Sequence, residues 1–421
     1  MTANPASSPT GNPLLTPTGL PLDAPAFDKI KDDHVIPAYK AAIADFTGRA
    51  AAVAENSDPA TFENTIYALE LAQVLLNKVE TVFIALSGAD MTDNRQNIKQ
   101  TVVPMVEQAR GTVYQNAKLY ARVKTVAESG TLTTERQRLA DDYMRVFAQN
   151  GVHLSEEQQK QLTDHNTAIS TNRSTFAQKT IAQDEAAALL VETAEELAGL
   201  DEAKLTRLAK AATEAGHDGK YLIKLNRITK QPLLKELRNP ETRRRLYEAS
   251  ANRGRMTLHL AEEILQRRQQ KAQLLGHNNF AEHRLSALTV GTPDRVFDLI
   301  GKMVPPLREK TDTLARQMEA LKQAEGDNSP LRPWDAPFYA AKLQQQQAGV
   351  DQKTMKPYFE FENVLKNGVF LTAERLYGIK VVPRPDLPVY HSDVRTYDIL
   401  DKGGKRLAVF YGDYFAREGK R

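Results

Sequence analysis

Apolar side chains recur every three or four positions over most of the chain, from about Phe27 to Ala324. Such a repeat predicts helices that each bury one face. It is clearest after residue 60, where the apolar positions are Phe62, Ile66, Leu69, Ala72, Leu76, Val79, Phe83 and Leu86. Asp58 is predicted to cap this helix, with Pro59 in its first turn.

Further helices are predicted over residues 93–128, 133–150 and 155–179, the last capped by Ser155. A short β-like run, GKYLIKL, follows at residues 219–225. Helical patterns resume over residues 239–254 and then in AEEILQRRQQKAQLLG, which stops at Gly276. Short connections between such helices favour antiparallel packing.

Past Gly326 the composition changes, with the prolines and single tryptophan of SPLRPWDAPFYAAKL. A helix is predicted from Ala336, and IKVVPRPDLPVYHSDV is predicted to be extended. Apolar and polar positions then alternate on both sides of Gly403 and Gly404, which predicts a β-hairpin. The whole pattern predicts a mainly α protein whose small sheet lies only near its C-terminus.

Three segments are predicted. Residues 1–26 are rich in proline and resemble a flexible leader. Residues 27–254 form an N-terminal helical domain, and residues 255–421 form a helical region that ends in the small β element. The leader lacks the basic and apolar regions of a signal peptide, so a cytoplasmic location is expected. A periplasmic location is the alternative if a signal peptide has been removed.

Composition excludes several classes of protein. The 56 basic and 53 acidic side chains leave a formal charge of +3, and no basic face with interleaved aromatic residues stands out, so nucleic acid is not an expected partner. No apolar run reaches the roughly 20 residues that span a bilayer, so no membrane partner is expected. With 0 cysteines there is no disulfide and no thiolate metal ligand.

No familiar catalytic motif is found in the residues themselves. G-x-S-x-G, phosphate-binding glycine loops and pairs of histidines at helical ligand spacing do not occur. The sequence NNFAEH resembles the zinc motif H-x-x-E-H, but Asn279 stands at the first ligand position, before Glu282 and His283. Surface helix residues are the better interpretation there and for His259 with Glu262. Residue chemistry alone therefore predicts no catalytic residue and no metal ligand.

Six stretches together carry a family resemblance. They are TFENTIYALE, KAQLLGHNNFAEHRL, RPWDAPFY, LTAERLYGI, VYHSDVRTYDILD and FYGDYFAREGKR, in this order from Thr61 to Arg421. The sequence resembles the thimet oligopeptidase-type zinc metallopeptidases, and among them the bacterial peptidyl-dipeptidase (dipeptidyl carboxypeptidase) branch. The resemblance implies long antiparallel helices that form one wall of a deep channel. It also implies short peptides as substrates, from which dipeptides are removed at the C-terminus.

In that family zinc is held by a helix carrying H-E-x-x-H, and the glutamate activates water. No such motif occurs between residues 1 and 421, and the resemblance implies that it would begin shortly after Arg421. The chain is thus expected to be a truncated, N-terminal part of such a peptidase, with zinc in the complete enzyme and no cofactor in this chain. If the missing C-terminal catalytic half is separately encoded, it is an expected partner. The alternative is a non-catalytic helical peptide-binding or scaffold protein.

By the same resemblance the terminal hairpin lies beside the zinc helix. Tyr411, Asp413 and Arg417 are therefore candidate substrate-binding residues, together with His391. For Asp413 and Arg417 the alternative is an ion pair that fixes the hairpin, and for His391 it is an ordinary loop histidine. Trp334 and Asp335 are expected to anchor a loop rather than to contact a ligand.

Overall fold

The computed structural model describes residues 11–186, 188–225, 227–252, 254–348, 355–417 and 419–420. Residue contacts divide the chain into two compact units. Unit 1 consists of the residues up to 163 together with residues 359–421, and unit 2 consists of residues 164–358. The boundaries predicted at residues 26 and 254 stay predictions.

Unit 1 begins as a bundle of helices. They are α1 (Val35–Ala54), α2 (Ala68–Ala89), α3 (Asp93–Tyr114), α4 (Ala117–Ala127) and α5 (Thr134–Gln149). A π-helical turn, Phe62–Tyr67, precedes α2, and the chain leaves unit 1 within α6 (Glu156–Ala186). The apolar face predicted for the helix after residue 60 is confirmed, because its residues from Ile66 to Leu86 are buried in the core of the unit.

The start of this helical stretch differs from the prediction. Thr61, not Asp58, is the cap, since its hydroxyl accepts a hydrogen bond from the Asn64 backbone N–H. The Asn64 side chain in turn accepts from the Thr61 N–H at 2.9 Å. This reciprocal pair satisfies two backbone donors at once, which a lone cap at Asp58 does not do.

The helix predicted over residues 93–128 is two helices. α3 ends at Tyr114, and the Asn116 side chain caps α4 by accepting from the Leu119 N–H at 3.0 Å. Asparagine competes well for a cap position and poorly for a helix interior, so the break falls there. The prediction that Ser155 caps α6 is confirmed, since its hydroxyl accepts from the Gln158 N–H.

Unit 2 is also mainly helical. Its helices are α7 (Glu202–Glu214), α8 (Arg227–Glu236), α9 (Pro240–Ala251), α10 (Leu258–Leu274), α11 (Phe280–Leu285), α12 (Pro293–Ala324) and α13 (Ala336–Ala348). The predicted β-like run becomes β2 (Tyr221–Ile223), which pairs with β1 (Leu189–Val191) in an antiparallel sheet. The expectation of a sheet only at the C-terminus is therefore wrong. Val191 and Ile223 from these strands enter the core of unit 2.

The chain returns to unit 1 through α14 (Phe361–Asn363), a π-helical stretch (Val364–Phe370) and α15 (Leu371–Tyr377). An antiparallel sheet follows in the order β3 (Lys380–Pro383), β4 (Arg395–Leu400) and β5 (Arg406–Gly412). The predicted hairpin is the β4–β5 pair. A mainly α fold with a small C-terminal sheet is confirmed. Within the described ranges, no helix combines the length and apolarity needed to cross a bilayer.

Candidate functional site

The segment after β5 folds back onto the loop between α2 and α3. Arg417 Nη2 donates to the Ala89 carbonyl at 2.6 Å, and the Met91 N–H donates to the Gly419 carbonyl at 2.7 Å. Gly419 has a φ of +77°, and a Cβ there would lie 2.7 Å from the Met91 carbonyl oxygen. The close approach of the two backbones therefore requires glycine. These contacts attach the end of the chain to the helical part of unit 1.

Asp413 is the centre of this attachment. Its carboxylate accepts both Nη groups of Arg417 at 2.8 Å, Lys420 Nζ at 2.9 Å and the Tyr390 hydroxyl at 3.0 Å. We call these four residues the Asp413 cluster. The side chains of Asp413 and Arg417 are each only 11% exposed. The predicted ion pair is therefore present, in bidentate form.

The pKa values in the cluster follow from these contacts. The Arg417 guanidinium, with help from Lys420 and Tyr390, holds the pKa of Asp413 far below its usual range. Burial and the Asp413 carboxylate raise the pKa of Tyr390 to about 12. At neutral pH the cluster thus contains a carboxylate, a neutral phenol and two cations, Arg417 and Lys420.

Aromatic rings lie beside the cluster. Phe27 packs edge-on against Tyr390 at 5.1 Å and against Tyr411 at 5.5 Å between ring centroids. The Tyr411 hydroxyl is buried and has no hydrogen-bond partner among the described residues. Burial also raises the pKa of Tyr411, which keeps the phenol protonated. Among the candidate substrate-binding residues, Tyr411 and Arg417 each keep a buried polar atom without a partner in the described residues, the Tyr411 hydroxyl and the Arg417 Nε.

The other candidates are placed differently. Both oxygens of Asp413 are engaged by the cluster, so its carboxylate has little capacity left for a substrate. His391 Nδ1 accepts from the Asp393 N–H at 3.1 Å in a local turn, and the side chain is 34% exposed. The hydrogen bonds found within the described ranges do not join His391 to the Asp413 cluster. The structure thus brings Tyr411, Asp413 and Arg417 together. His391 follows Tyr390 in sequence but is not hydrogen-bonded to the Asp413 cluster within the described ranges.

Sequence reasoning missed Phe27, Tyr390 and Lys420. Tyr390 precedes His391 in VYHSDV, and Lys420 lies in the terminal GKR, so both were within quoted segments. Their role depends on a fold that joins residue 27, residue 390 and residue 413, and local spacing carries no signal for such a contact.

The stretch from Asn279 to His283, which resembles H-x-x-E-H, can be compared with the geometry that a zinc site requires. The imidazole rings of His277 and His283 lie 5.2 Å apart. His283 is buried, so the interpretation of His283 as a surface helix residue is wrong. Glu282, however, accepts from the Asn278 N–H and from the side chain of Asn279, so its carboxylate completes the cap of α11. An amide donor at Asn279 is also a poor zinc ligand. These residues do not fit zinc, and over the described ranges no set of three or more His, Asp or Glu side chains is grouped to hold a metal ion.

Comparison with known proteins supports the family resemblance. Residues 233–421 match the sequence profile of peptidase family M3. The resemblance to zinc metallopeptidases of the thimet oligopeptidase type is thereby confirmed, and residues 233–421 are similar to the M3 peptidases.

Individual relatives extend this similarity to nearly the whole chain. Dipeptidyl carboxypeptidase of Escherichia coli strain K12 is 36% identical over 406 residues, covering 94% of this chain and 60% of the relative. Oligopeptidase A of the same organism is 28% identical over 411 residues, covering 95% of this chain and 60% of the relative. The chain thus spans about 60% of the length of these curated relatives.

Proposed function

We propose that this chain is the N-terminal part of a zinc peptidase that removes dipeptides from the C-termini of short peptides. The observation that carries the proposal is the 36% identity to a dipeptidyl carboxypeptidase along 94% of the chain. Zinc and the water-activating glutamate would belong to the part of the relatives that residues 1–421 do not match. Within the chain, the proposed contribution is a helical framework and one wall of the peptide channel.

The candidate substrate contacts are proposed to differ in role. Tyr411 supplies a hydroxyl that is free to donate to a peptide carbonyl or carboxylate, and its ring is fixed by Phe27. Asp413 and Arg417 act as positioning residues, because their mutual ion pair holds the segment that carries Tyr411. His391 contributes a partly exposed imidazole one residue from Tyr390, which belongs to the cluster.

The decisive experiment begins with the DNA downstream of the codon for Arg421. If it encodes an H-E-x-x-H segment, in frame or as an adjacent gene, the complete protein should be produced with zinc. Release of dipeptides from a blocked tripeptide is then measured, with and without a chelator. Chelator-sensitive release by the complete protein, and none by a variant whose motif glutamate is replaced by glutamine, supports the proposal.

The opposite results would favour the alternative. A long downstream stretch without H-E-x-x-H, together with saturable binding of short peptides to residues 1–421, would indicate a non-catalytic peptide-binding protein. A Tyr411→Phe variant then reports on the site in either case. It should weaken peptide binding, or raise KM, by about 3-fold to 10-fold if the hydroxyl contacts substrate.

A further inference from the structure

A groove separate from the Asp413 cluster lies between α2 and α3 in unit 1. Its volume is about 350 Å³, within the range of small-molecule sites. We call it the α2–α3 groove. Its lining comes from α1, α2 and α3 and includes Glu80, Phe83, Ser87, Gly88, Lys99 and Val102.

The acidic side chain of the lining is already paired. Glu80 of α2 accepts from Arg110 of α3 at 2.8 Å. Arg110 also lies 3.6 Å from Glu107, which is largely exposed to solvent. Burial raises the pKa of Glu80, with Arg110 opposing and Glu107 reinforcing the rise. Glu80 is therefore already partnered and offers little attraction for a further cation.

The middle of the groove is apolar. Phe83 and Val102 are buried in its wall, while Ile84 and Val103 lie partly or largely exposed at its mouth. Two turns of α2, roughly 10 Å of helix, separate Glu80 from Ser87. A chain of several methylene groups fits this span and would remove the exposed apolar side chains from water.

Two polar side chains of the lining have no partner among the described residues. Ser87 is 4% exposed, and its hydroxyl makes no hydrogen bond within the described part of the chain. Lys99 also lines the groove, is partly exposed, and is joined to no carboxylate among the described ion pairs. A buried hydroxyl left unpaired costs about 1–3 kcal/mol, so a ligand atom that pairs with it would be stabilised in the groove.

The sign of the ligand's charge follows from the charged groups near the groove. α2 ends at Ala89 and α3 begins at Asp93, so the opposite partial charges of the two helix ends offset each other there. Of the two charged lining residues, Glu80 is paired with Arg110, and Lys99 has no paired carboxylate among the described ion pairs. We propose that the α2–α3 groove binds a small amphipathic carboxylate, with its carboxylate on Lys99 and Ser87 and its aliphatic chain against Phe83 and Val102.

Calorimetric titration of the full chain with three probes of equal chain length tests this assignment. The probes are octanoate, 1-octanol and octylamine. Octanoate should bind at one saturable site, and the other two probes should bind about 10-fold or more weakly, because only the carboxylate pairs with Lys99. Octylamine binding as tightly as octanoate would overturn the proposal, and so would no saturable octanoate binding up to about 10 mM.

Two kinds of variant distinguish binding in the α2–α3 groove from non-specific binding. Lys99→Gln should weaken octanoate binding about 10-fold, whereas Lys124→Gln, the same charge change on α4, should leave it within about 2-fold. Gly88→Leu should block the groove without unfolding α2, because a Cβ at Gly88 meets no atom within 4 Å and leucine favours a helix. Unchanged octanoate binding by either Lys99→Gln or folded Gly88→Leu would contradict the assignment.

Discussion

Arg243 and Asp335 form an ion pair at 2.7 Å in which each side chain is only 2% exposed. The pair joins α9 to the start of α13 within unit 2. Arg243 also donates to the Leu237 and Arg238 carbonyls, and its guanidinium lies 4.5 Å from the centre of the Phe338 ring. Asp335 has a second cation, Lys322, at 3.4 Å. The expectation that Asp335 anchors its loop thus has a specific physical basis.

Replacement of Arg243 by glutamine should lower the free energy of unfolding of unit 2 by about 3–5 kcal/mol. The change leaves a buried carboxylate with one cation and leaves the two carbonyls without their donor. The neighbouring substitution Arg244→Gln is the matched control. Arg244 pairs with Glu241 and Glu248 at the surface, so its loss should cost about 0–1 kcal/mol.

Urea unfolding followed by the fluorescence of Trp334 measures both variants. Trp334 is the single tryptophan, and it packs against Tyr247 of α9, so it reports on this unit. Equal costs for Arg243→Gln and Arg244→Gln would show that the buried pair is no stronger than a surface pair.

Gly199 should not tolerate a side chain. It has a φ of +106°, and a Cβ there would lie 2.1 Å from the Glu236 carbonyl oxygen. Gly199→Ala therefore combines strain with a clash against backbone and should cost more than about 3 kcal/mol. Gly216→Ala is the control, because φ is +81° but no atom lies within 4 Å of its Cβ, so about 1 kcal/mol is expected. Trp334 fluorescence during urea unfolding again provides the comparison.

Helices were predictable from the sequence wherever the apolar face is continuous and the capping side chain lies next to the helix in sequence. The stripe from Ile66 to Leu86 shows this, since burial follows the 3.6-residue repeat. The break at Asn116 was missed because apolar periodicity continues across it, while the capping hydrogen bond is decided by one side chain. Strand β1 was missed because it is only 3 residues long and depends on a partner about 30 positions away.

The candidate site was predictable only in part. Asp413 and Arg417 are one helical turn apart in sequence, so their ion pair could be proposed from spacing. Docking of Arg417 on the Ala89 carbonyl joins positions 328 residues apart, and no local rule contains that contact. The same limit explains why Phe27 was not foreseen beside Tyr411.

Asp413→Asn should loosen the segment that follows β5. The amide cannot replace a carboxylate that accepts from Arg417, Lys420 and Tyr390, so hydrogen exchange of residues 413–420 should accelerate by about 10-fold or more. Asp386→Asn is the control, because Asp386 is exposed and, among the described ion pairs, is joined only to Arg384. Similar exchange of residues 413–420 in both variants would contradict the central role of Asp413.

The same carboxylate sets a pH dependence. Because the pKa of Asp413 is lower in the folded state, its stabilising effect is complete above the unfolded pKa of about 4 and is lost as pH falls below that value. Protection of residues 413–420 in the native chain should therefore decline below about pH 4. The Asp413→Asn variant should lack this part of the decline.

Zinc should not bind stoichiometrically to residues 1–421. The donor set near α11 offers His277 and His283, but Glu282 is used as a cap and Asn279 supplies an amide. Metal analysis after dialysis against zinc measures the content. One retained zinc per chain, lost in a His283→Gln variant, would show that this pair does form a site.

His283 should make unit 2 less stable in acid. Burial, together with the charges of Lys271, His277 and Arg284, lowers the pKa of His283 to about 4. The unfolded chain, with a pKa of about 6.5, binds the proton first, so stability is full above pH 6.5 and falls as pH drops towards 4. The loss at this residue should approach 3 kcal/mol (about 1.4 kcal/mol per pH unit). A His283→Gln variant should lack that slope when Trp334 fluorescence follows urea unfolding at pH 7 and about pH 4.5. A stability difference between native chain and variant that does not change with pH would refute the assignment.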